Sequence, residues 1–405
     1  MKNNNPGIAR LAQKVLLESD TNVDKIVEFA LREKPDFAFV GPDAALEKGV
    51  VDALEKNGIP AVGASQKAAL IETNKLFCRQ FMQDNGIHCN PEFFVFDEVG
   101  EVRDFLQGME KAVVKPLGLT GGKGVKIMGE QVSKQEALEY AKTIVEKDGM
   151  VLIEDFLEGE EFSLQAFVSG DSLCEMPLVQ DHKRAFENDL GPNTGGMGSY
   201  SDANHLLPFV TEAEKNEALN AMRQTVKALK KSGVEYKGIL YGQFMLTKHG
   251  PKLVEYNARF ADPESMNVLS LLKTDFTELC WKVIDGKLGE KDASFEKQAT
   301  VVKYAVPEGY PESGLKGAEV KVDEKAIADN GGELFFASVS EENGKMLTGG
   351  SRTLAVLGKG GSIEEAERIS ETCLEFVKGK VFHRKDIGTR ALVEKRVEHL
   401  KLLRA

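Results

Sequence analysis

At 405 residues the chain has room for two or three domains of roughly 150 residues and a sizeable shared core, which excludes a peptide or a small stapled scaffold. With 52 Lys and Arg against 64 Asp and Glu, the formal net charge is −12. No basic run is long enough to overcome the repulsion between such a chain and a phosphate backbone, so nucleic acid is excluded as its main partner. A composition 42% hydrophobic and 29% charged, with 39 glycines, excludes the disordered and fibrous classes.

Read in chain order, the first third alternates helical and strand patterns. A helix is predicted over 9–18, an amphipathic helix over 23–32, an apolar strand over 37–40 closed by Gly41-Pro42, a helix over 44–57 and a strand over 59–63. Alternation at this pitch points to a parallel sheet with crossover helices, an α/β arrangement. Such a domain ordinarily opens with a buried strand and a glycine-rich turn, and here that opening strand is missing.

The middle, from 90 to 300, reads as hairpin-rich: strands over 112–115 and 125–128, a helix over 134–147, then a strand over 150–154. The last hundred residues mix short strands, such as 299–305, with a helix over 363–378, a small mixed α/β unit. The five cysteines, Cys78, Cys89, Cys174, Cys280 and Cys373, have no C-x-x-C spacing and read as reduced, buried thiols. No stretch approaches ~18 consecutive apolar residues and the first residues carry no apolar signal core, so a cytoplasmic location without membrane contact is expected.

Three segments carry chemistry. Between two strand patterns lies Pro116-Leu117-Gly118-Leu119-Thr120-Gly121-Gly122-Lys123-Gly124. Successive glycines let backbone N–H groups converge on an anion, and Lys115 and Lys123 add positive charge, as a nucleoside triphosphate requires. It is not a Walker loop, because Leu117 stands where the first glycine is needed and Gly124 where Ser or Thr is needed. A flexible hairpin turn is the other reading of this segment.

A hairpin is predicted over 239–260, turning at Lys248-His249-Gly250. Strand alternation puts Glu255, Asn257 and Arg259 on one face and Val254, Tyr256, Ala258 and Phe260 on the other. Glu255 and Asn257 stand ~6.6 Å apart along the strand, close enough to share a divalent cation, with Gln243 a further oxygen if the register permits. Arg259 suits a phosphate or carboxylate. An ordinary polar hairpin face is the alternative, although Ala261-Asp262-Pro263-Glu264 adds two carboxylates.

The third segment, Gln180-Asp181-His182-Lys183-Arg184 followed by residues 191–198, is too rich in glycine and polar groups for a packed helix or strand and reads as a binding loop. His182 is open to two readings, base or structural hydrogen bonder.

Taken together, V-V-K-P-L-G-L-T-G-G-K-G-V, I-E-D-F-L-E-G-E-E, Q-D-H-K-R with G-P-N-T-G-G-M-G-S-Y, and K-L-V-E-Y-N-A-R-F-A-D-P-E resemble the glycinamide ribonucleotide synthetases of the ATP-grasp superfamily. The resemblance runs from V-G-P-D at 40–43 to F-H-R-K-D-I-G at 382–388. It implies an incomplete Rossmann-like domain over 1–74 and an ATP-grasp domain over 75–298, with a lid at about 116–158. A mixed carboxy-terminal domain would follow over 299–405. ATP would lie between two lobes, with Lys75 and Lys115 on its phosphates and Gly121, Gly122, Lys123 and Gly124 closing over them. Main-chain groups of Glu154, Asp155, Phe156 and Leu157 would meet adenine, and Glu161 the ribose.

By the same resemblance Mg2+ or Mn2+ would fall to Gln243, Glu255 and Asn257. Asp181, Asn193, Thr194, Gly195, Gly196, Arg259 and Asp262 would surround glycine and 5-phosphoribosylamine, with Lys115, Arg259 and Asp181 nearest the chemistry. The implied reaction proceeds through a glycyl phosphate in a monomer. Another ATP-grasp carboxylate-amine ligase with a different amine is the alternative. Because the family pattern begins earlier, weakened phosphoribosylamine binding is also expected.

Overall fold

The computed structural model describes residues 4–120 and 124–405, so the roles expected of Gly121, Gly122 and Lys123 lie outside the described residues. Near the amino terminus the helix Val23–Glu33 starts where the Asn22 side chain accepts the Lys25 N–H. It leads into the strand Ala38–Phe39, which pairs in parallel with Ala61–Val62. An apolar groove of about 310 Å3, lined in part by Phe29 and Leu54, borders these strands.

Two expected helices differ here. The one over 44–57 is two helices, Asp43–Glu47 and Val50–Lys56, because Gly49 adopts a left-handed φ of 74° that no continuous helix can contain. The one over 9–18 is only Pro6–Ala9. Leu11 and Leu17, which would form its apolar stripe, are 89% and 58% exposed, so nothing buries against a longer helix.

The central region holds two antiparallel sheets. One has the order Phe93–Phe96, Val151–Asp155, Ala112–Lys115, Lys126–Met128. The helices Val99–Gln107 and Lys134–Asp148 cover it, and Val102, Leu106, Ala137 and Ile144 give it a core of its own. The other runs Gly250–Asn257, Lys237–Thr247, Glu160–Ser169, Ser172–Glu175. The helix Glu212–Lys231, opened by a capping box between Thr211 and Glu214, packs on it through Ala218, Met222 and Val226.

The polar segment after 180 is more ordered than its composition suggests. It contains the short strands Gln180–Asp181, Arg184–Phe186, Leu190–Asn193 and Gly198–Ser201. Gly198–Ser201 pairs with Ala299–Pro307, so the segment joins the sheet of the carboxy-terminal region, and that sheet crosses the boundary expected at 298. Glycine is required at the crossing: a Cβ on Gly198 would stand 2.2 Å from the Val302 carbonyl oxygen.

Further along, the helix expected over 363–378 ends at Leu374, and the strand Val377–Gly379 pairs with Lys316–Val322. All five cysteines are buried and unpaired. Among the described residues no helix is long and apolar enough to cross a membrane.

Candidate active site

Three walls enclose a cavity of about 540 Å3. The first comes from the sheet with its own core: Val113, Lys115 and Ile127, then Glu154, Asp155, Phe156 and Leu157. The second is the hairpin face with Tyr241, Gln243, Met245, Glu255, Asn257 and Arg259. The third is the polar segment, with Asp181, Lys183, Asn193, Thr194 and Gly195, closed by Asp262. Lys75 and Glu161 also line the cavity. Of the described residues expected to bind nucleotide, metal or substrate, only Gly124 and Gly196 stand off its wall, and His182 stands off it too. Gly124 is held back by its N–H to Thr120 Oγ1 at 3.2 Å and by Tyr140, whose hydroxyl donates to its carbonyl at 2.7 Å.

On the hairpin, the register sets Gln243 opposite Glu255 and Tyr241 opposite Asn257. Lys183 Nζ donates to Gln243 Oε1 at 2.5 Å, and Gln243 Nε2 donates to Glu161 Oε2 at 2.6 Å. Glu161, expected at a ribose, is therefore engaged by the hairpin. Burial would raise the Glu255 carboxyl, but Lys183, Lys115, Lys75 and Arg259 together hold it below its usual range.

Gln243, Glu255 and Asn257 offer oxygen atoms only, the donor type that hard divalent cations take. They include one carboxylate, and among the described residues no cluster of three or more His, Cys, Asp or Glu could hold a metal. The set therefore fits a cation that arrives with phosphate oxygens of its own, not one caged by protein. Lys183 already occupies one of the two lone pairs of Gln243 Oε1, which leaves the other for such a cation.

On the opposite wall, Glu154 binds Arg79 in a fork, at 2.7 and 3.2 Å, and Lys115 at 2.6 Å. Burial alone would raise this carboxyl; the charges of Arg79 and Lys115 keep it at about 2. Its side chain is thus occupied, and its main chain lies in the sheet between Phe93 and Val113, so the adenine contacts expected of this stretch fall to the residues after it. Lys75 Nζ donates to the Gly118 carbonyl at 2.6 Å, which ties the helix Lys75–Asp84 to the glycine-rich loop.

Arg259 faces Glu72 at 3.4 Å and Asp43 at 3.6 Å, two carboxylates of the amino-terminal region. Glu72 is pushed up to about 7 by burial, despite Arg259 and the Ala258 N–H that it accepts.

Around the polar segment, Asp181 accepts the His182 N–H at 2.7 Å, and Thr194 donates both its N–H and its hydroxyl to the Lys183 carbonyl. Burial, reinforced by the Glu264 charge, pushes Asp181 well above its usual range. Glu264 in turn accepts the Tyr241 hydroxyl at 2.8 Å. His182 is buried with Nδ1 3.3 Å from the Gly198 carbonyl oxygen. Burial and the charges of Arg396 and Arg384 drive it down to about 3. It is neutral and stands off the cavity wall, which favours the structural reading.

Sequence reasoning left Lys183, Tyr241, Glu72 and Arg352 without roles, although all line the cavity. Lys183 lies inside the motif Q-D-H-K-R. Arg352 had no signal, because its partner Asp262 lies 90 residues away.

Known proteins share this arrangement. Family models described as phosphoribosylglycinamide synthetase match the chain as N domain over 1–72, ATP-grasp (A) domain over 73–265 and C domain over 300–390. A phosphoribosylamine–glycine ligase of Pyrococcus furiosus is 51% identical over 405 residues, covering 100% of this chain and 91% of its own. That of Methanosarcina barkeri is 52% identical over 406 residues, covering 100% and 93%. The solved phosphoribosylamine–glycine ligase of Thermotoga maritima superimposes with a TM-score of 0.79 at 29% identity, over 94% of this chain and 92% of that one. The biotin carboxylase domain of the Hydrogenobacter thermophilus 2-oxoglutarate carboxylase, 15% identical with a TM-score of 0.67 over 98% and 87%, shares the fold. With its central region an ATP-grasp fold and all three domain models matched, the chain belongs to the phosphoribosylglycinamide synthetase family.

Proposed function

We propose that the chain ligates glycine to 5-phosphoribosylamine, consuming ATP and releasing glycinamide ribonucleotide, ADP and phosphate, in cytoplasmic purine biosynthesis. The observation that carries this reading is that one cavity unites a cluster of cations around Glu255 with a separate, hydrogen-bonded loop over 193–196 beside Asp262. Kinship with phosphoribosylamine–glycine ligases at about half identity over the full chain supports it.

The chemistry needs no nucleophilic side chain. An oxygen of the glycine carboxylate attacks the γ-phosphorus and ADP leaves. The substrate amine then attacks the resulting acyl carbon, the C–O bond to phosphate breaks, and the nitrogen loses a proton. Lys75 and Lys115 neutralise phosphate charge, and the apolar wall of Val113, Ile127, Phe156, Leu157 and Met245 takes a planar base. Lys183 stands between the two halves, where charge moves from nucleotide to acyl group. Gln243, Glu255 and Asn257 would hold Mg2+ or Mn2+, which would supply further charge neutralisation to the phosphates. Asn193, Thr194, Gly195, Gly196, Asp181, Arg259 and Asp262 receive the small substrates, and the protein acts as a monomer.

ATP consumption measured with glycine alone, with phosphoribosylamine alone and with both tests the assignment. Turnover is expected only with both. Turnover that needs neither, or that needs another amine, would overturn it in favour of a different carboxylate-amine ligase.

A further inference from the structure

Arg352 reaches the cavity from the carboxy-terminal region and closes its acceptor side. Its Nη1 donates to the carbonyl oxygens of Gly195 at 2.5 Å, Gly196 at 3.1 Å and Asp262 at 3.2 Å, while Nη2 donates to Asp262 Oδ2 at 2.9 Å. The guanidinium lies 4.5 Å over the Tyr304 ring, and the Tyr304 hydroxyl donates to the other Asp262 oxygen at 2.6 Å. The side chain is only 15% exposed. Gly195 makes room for it: a Cβ there would press on Arg352 Cζ at 3.3 Å.

An exposed ion pair has little energetic weight, but this one is different in kind. A planar fork spans two segments that are distant in sequence, the loop over 193–196 and the turn at Asp262, and meets three carbonyls and a carboxylate together. Among the described residues no hydrogen bond from Arg352 goes to the nucleotide half, where Lys75, Lys115 and Glu255 lie.

Resting on the ligase reading above, we propose that Arg352 is a positioning residue. It sets the separation between the 193–196 loop and Asp262, so that the carboxy-terminal domain completes the acceptor half of the site and leaves nucleotide binding alone.

Arg352→Met, Arg352→Lys, Arg352→Ala and Tyr304→Phe test this in the full chain, with nucleotide affinity measured calorimetrically using MgADP and kinetics measured with each substrate varied. Arg352→Met is expected to raise KM for phosphoribosylamine or glycine about tenfold or more, while MgADP affinity stays within about twofold. Arg352→Lys should restore little, since one ammonium cannot span the fork's acceptors, whereas added guanidinium should partly rescue Arg352→Ala. Unchanged KM values for both small substrates, or an equal loss of MgADP affinity, would overturn the proposal. If Arg352→Met does not fold, Tyr304→Phe decides: it must raise the same KM with MgADP binding intact, and no change refutes the positioning role. Wild-type turnover that does not require both small substrates would instead defeat the ligase reading, so the two failures are separable.

Discussion

At the residue scale the cavity works through charges held out of balance by burial. Glu255 is the one carboxylate among the three oxygen donors of the hairpin face, and four cations keep it ionised. Replacing it with Gln keeps its shape and removes its charge. Turnover is expected to fall about a hundredfold or more, and Mn2+ binding followed by spin resonance in the presence of ADP should weaken with it. Retained turnover and retained Mn2+ binding would return that strand to an ordinary polar face.

Glu72 behaves in the opposite sense. Its folded pKa of about 7 lies above the ordinary 4.5, so the unfolded chain releases this proton first. The wild type therefore loses stability as pH rises from about 4.5 to about 7. Glu72→Gln has no proton to lose there. Its melting temperature relative to wild type should be higher at pH 8 than at pH 5, and a difference independent of pH would refute the assignment.

At the element scale, the sequence pattern served best where one strand faces one environment. The hairpin Lys237–Thr247 with Gly250–Asn257 was legible because period-two alternation separates Glu255 and Asn257 from the apolar Tyr256, whose hydroxyl meets Thr225 on the covering helix at 3.0 Å. The strands of the segment after 180 were not legible because they are held by distant partners: Arg384 donates to the Arg184 carbonyl and to Asp189, and Arg396 also binds Asp189.

Elements are joined in the same way at Glu154, which links the strand Val151–Asp155 to Arg79 on the helix Lys75–Asp84 and to Lys115 on a neighbouring strand. Glu154→Gln strands two buried cations, at a cost of about 3–5 kcal/mol. Urea unfolding should show a loss of that order, and a loss below about 1 kcal/mol would mean that the triad contributes little.

At the scale of the whole molecule, several carboxylates that bind regions together are held low. Burial would raise each of them, but Glu154 is kept at about 2 by Arg79 and Lys115, Asp189 at about 2 chiefly by Arg396, and Glu371 at about 2 by His383 and Lys303. A depressed folded pKa stabilises above the unfolded value and loses its contribution as pH falls through the folded one. His182, held near 3, adds to the same trend because the unfolded imidazole takes up its proton first. The urea midpoint is therefore expected to fall steeply from pH 5 to pH 3, and a flat profile there would contradict these shifts.

Sequence by itself determined what is local: the alternation of elements at the amino terminus, the hairpin and its polar face, the glycine-rich loop, and the motifs that resemble an ATP-grasp ligase. Each of these follows from a backbone period or a residue's own conformational range, which neighbours along the chain suffice to express. Tertiary structure alone decided that the segment after 180 enters the carboxy-terminal sheet, that Lys183 sits on Gln243, that His182 is neutral, and that Arg352 closes the acceptor side against Asp262. Those outcomes depend on burial and on partners far away in sequence, and neither exists until the chain has folded.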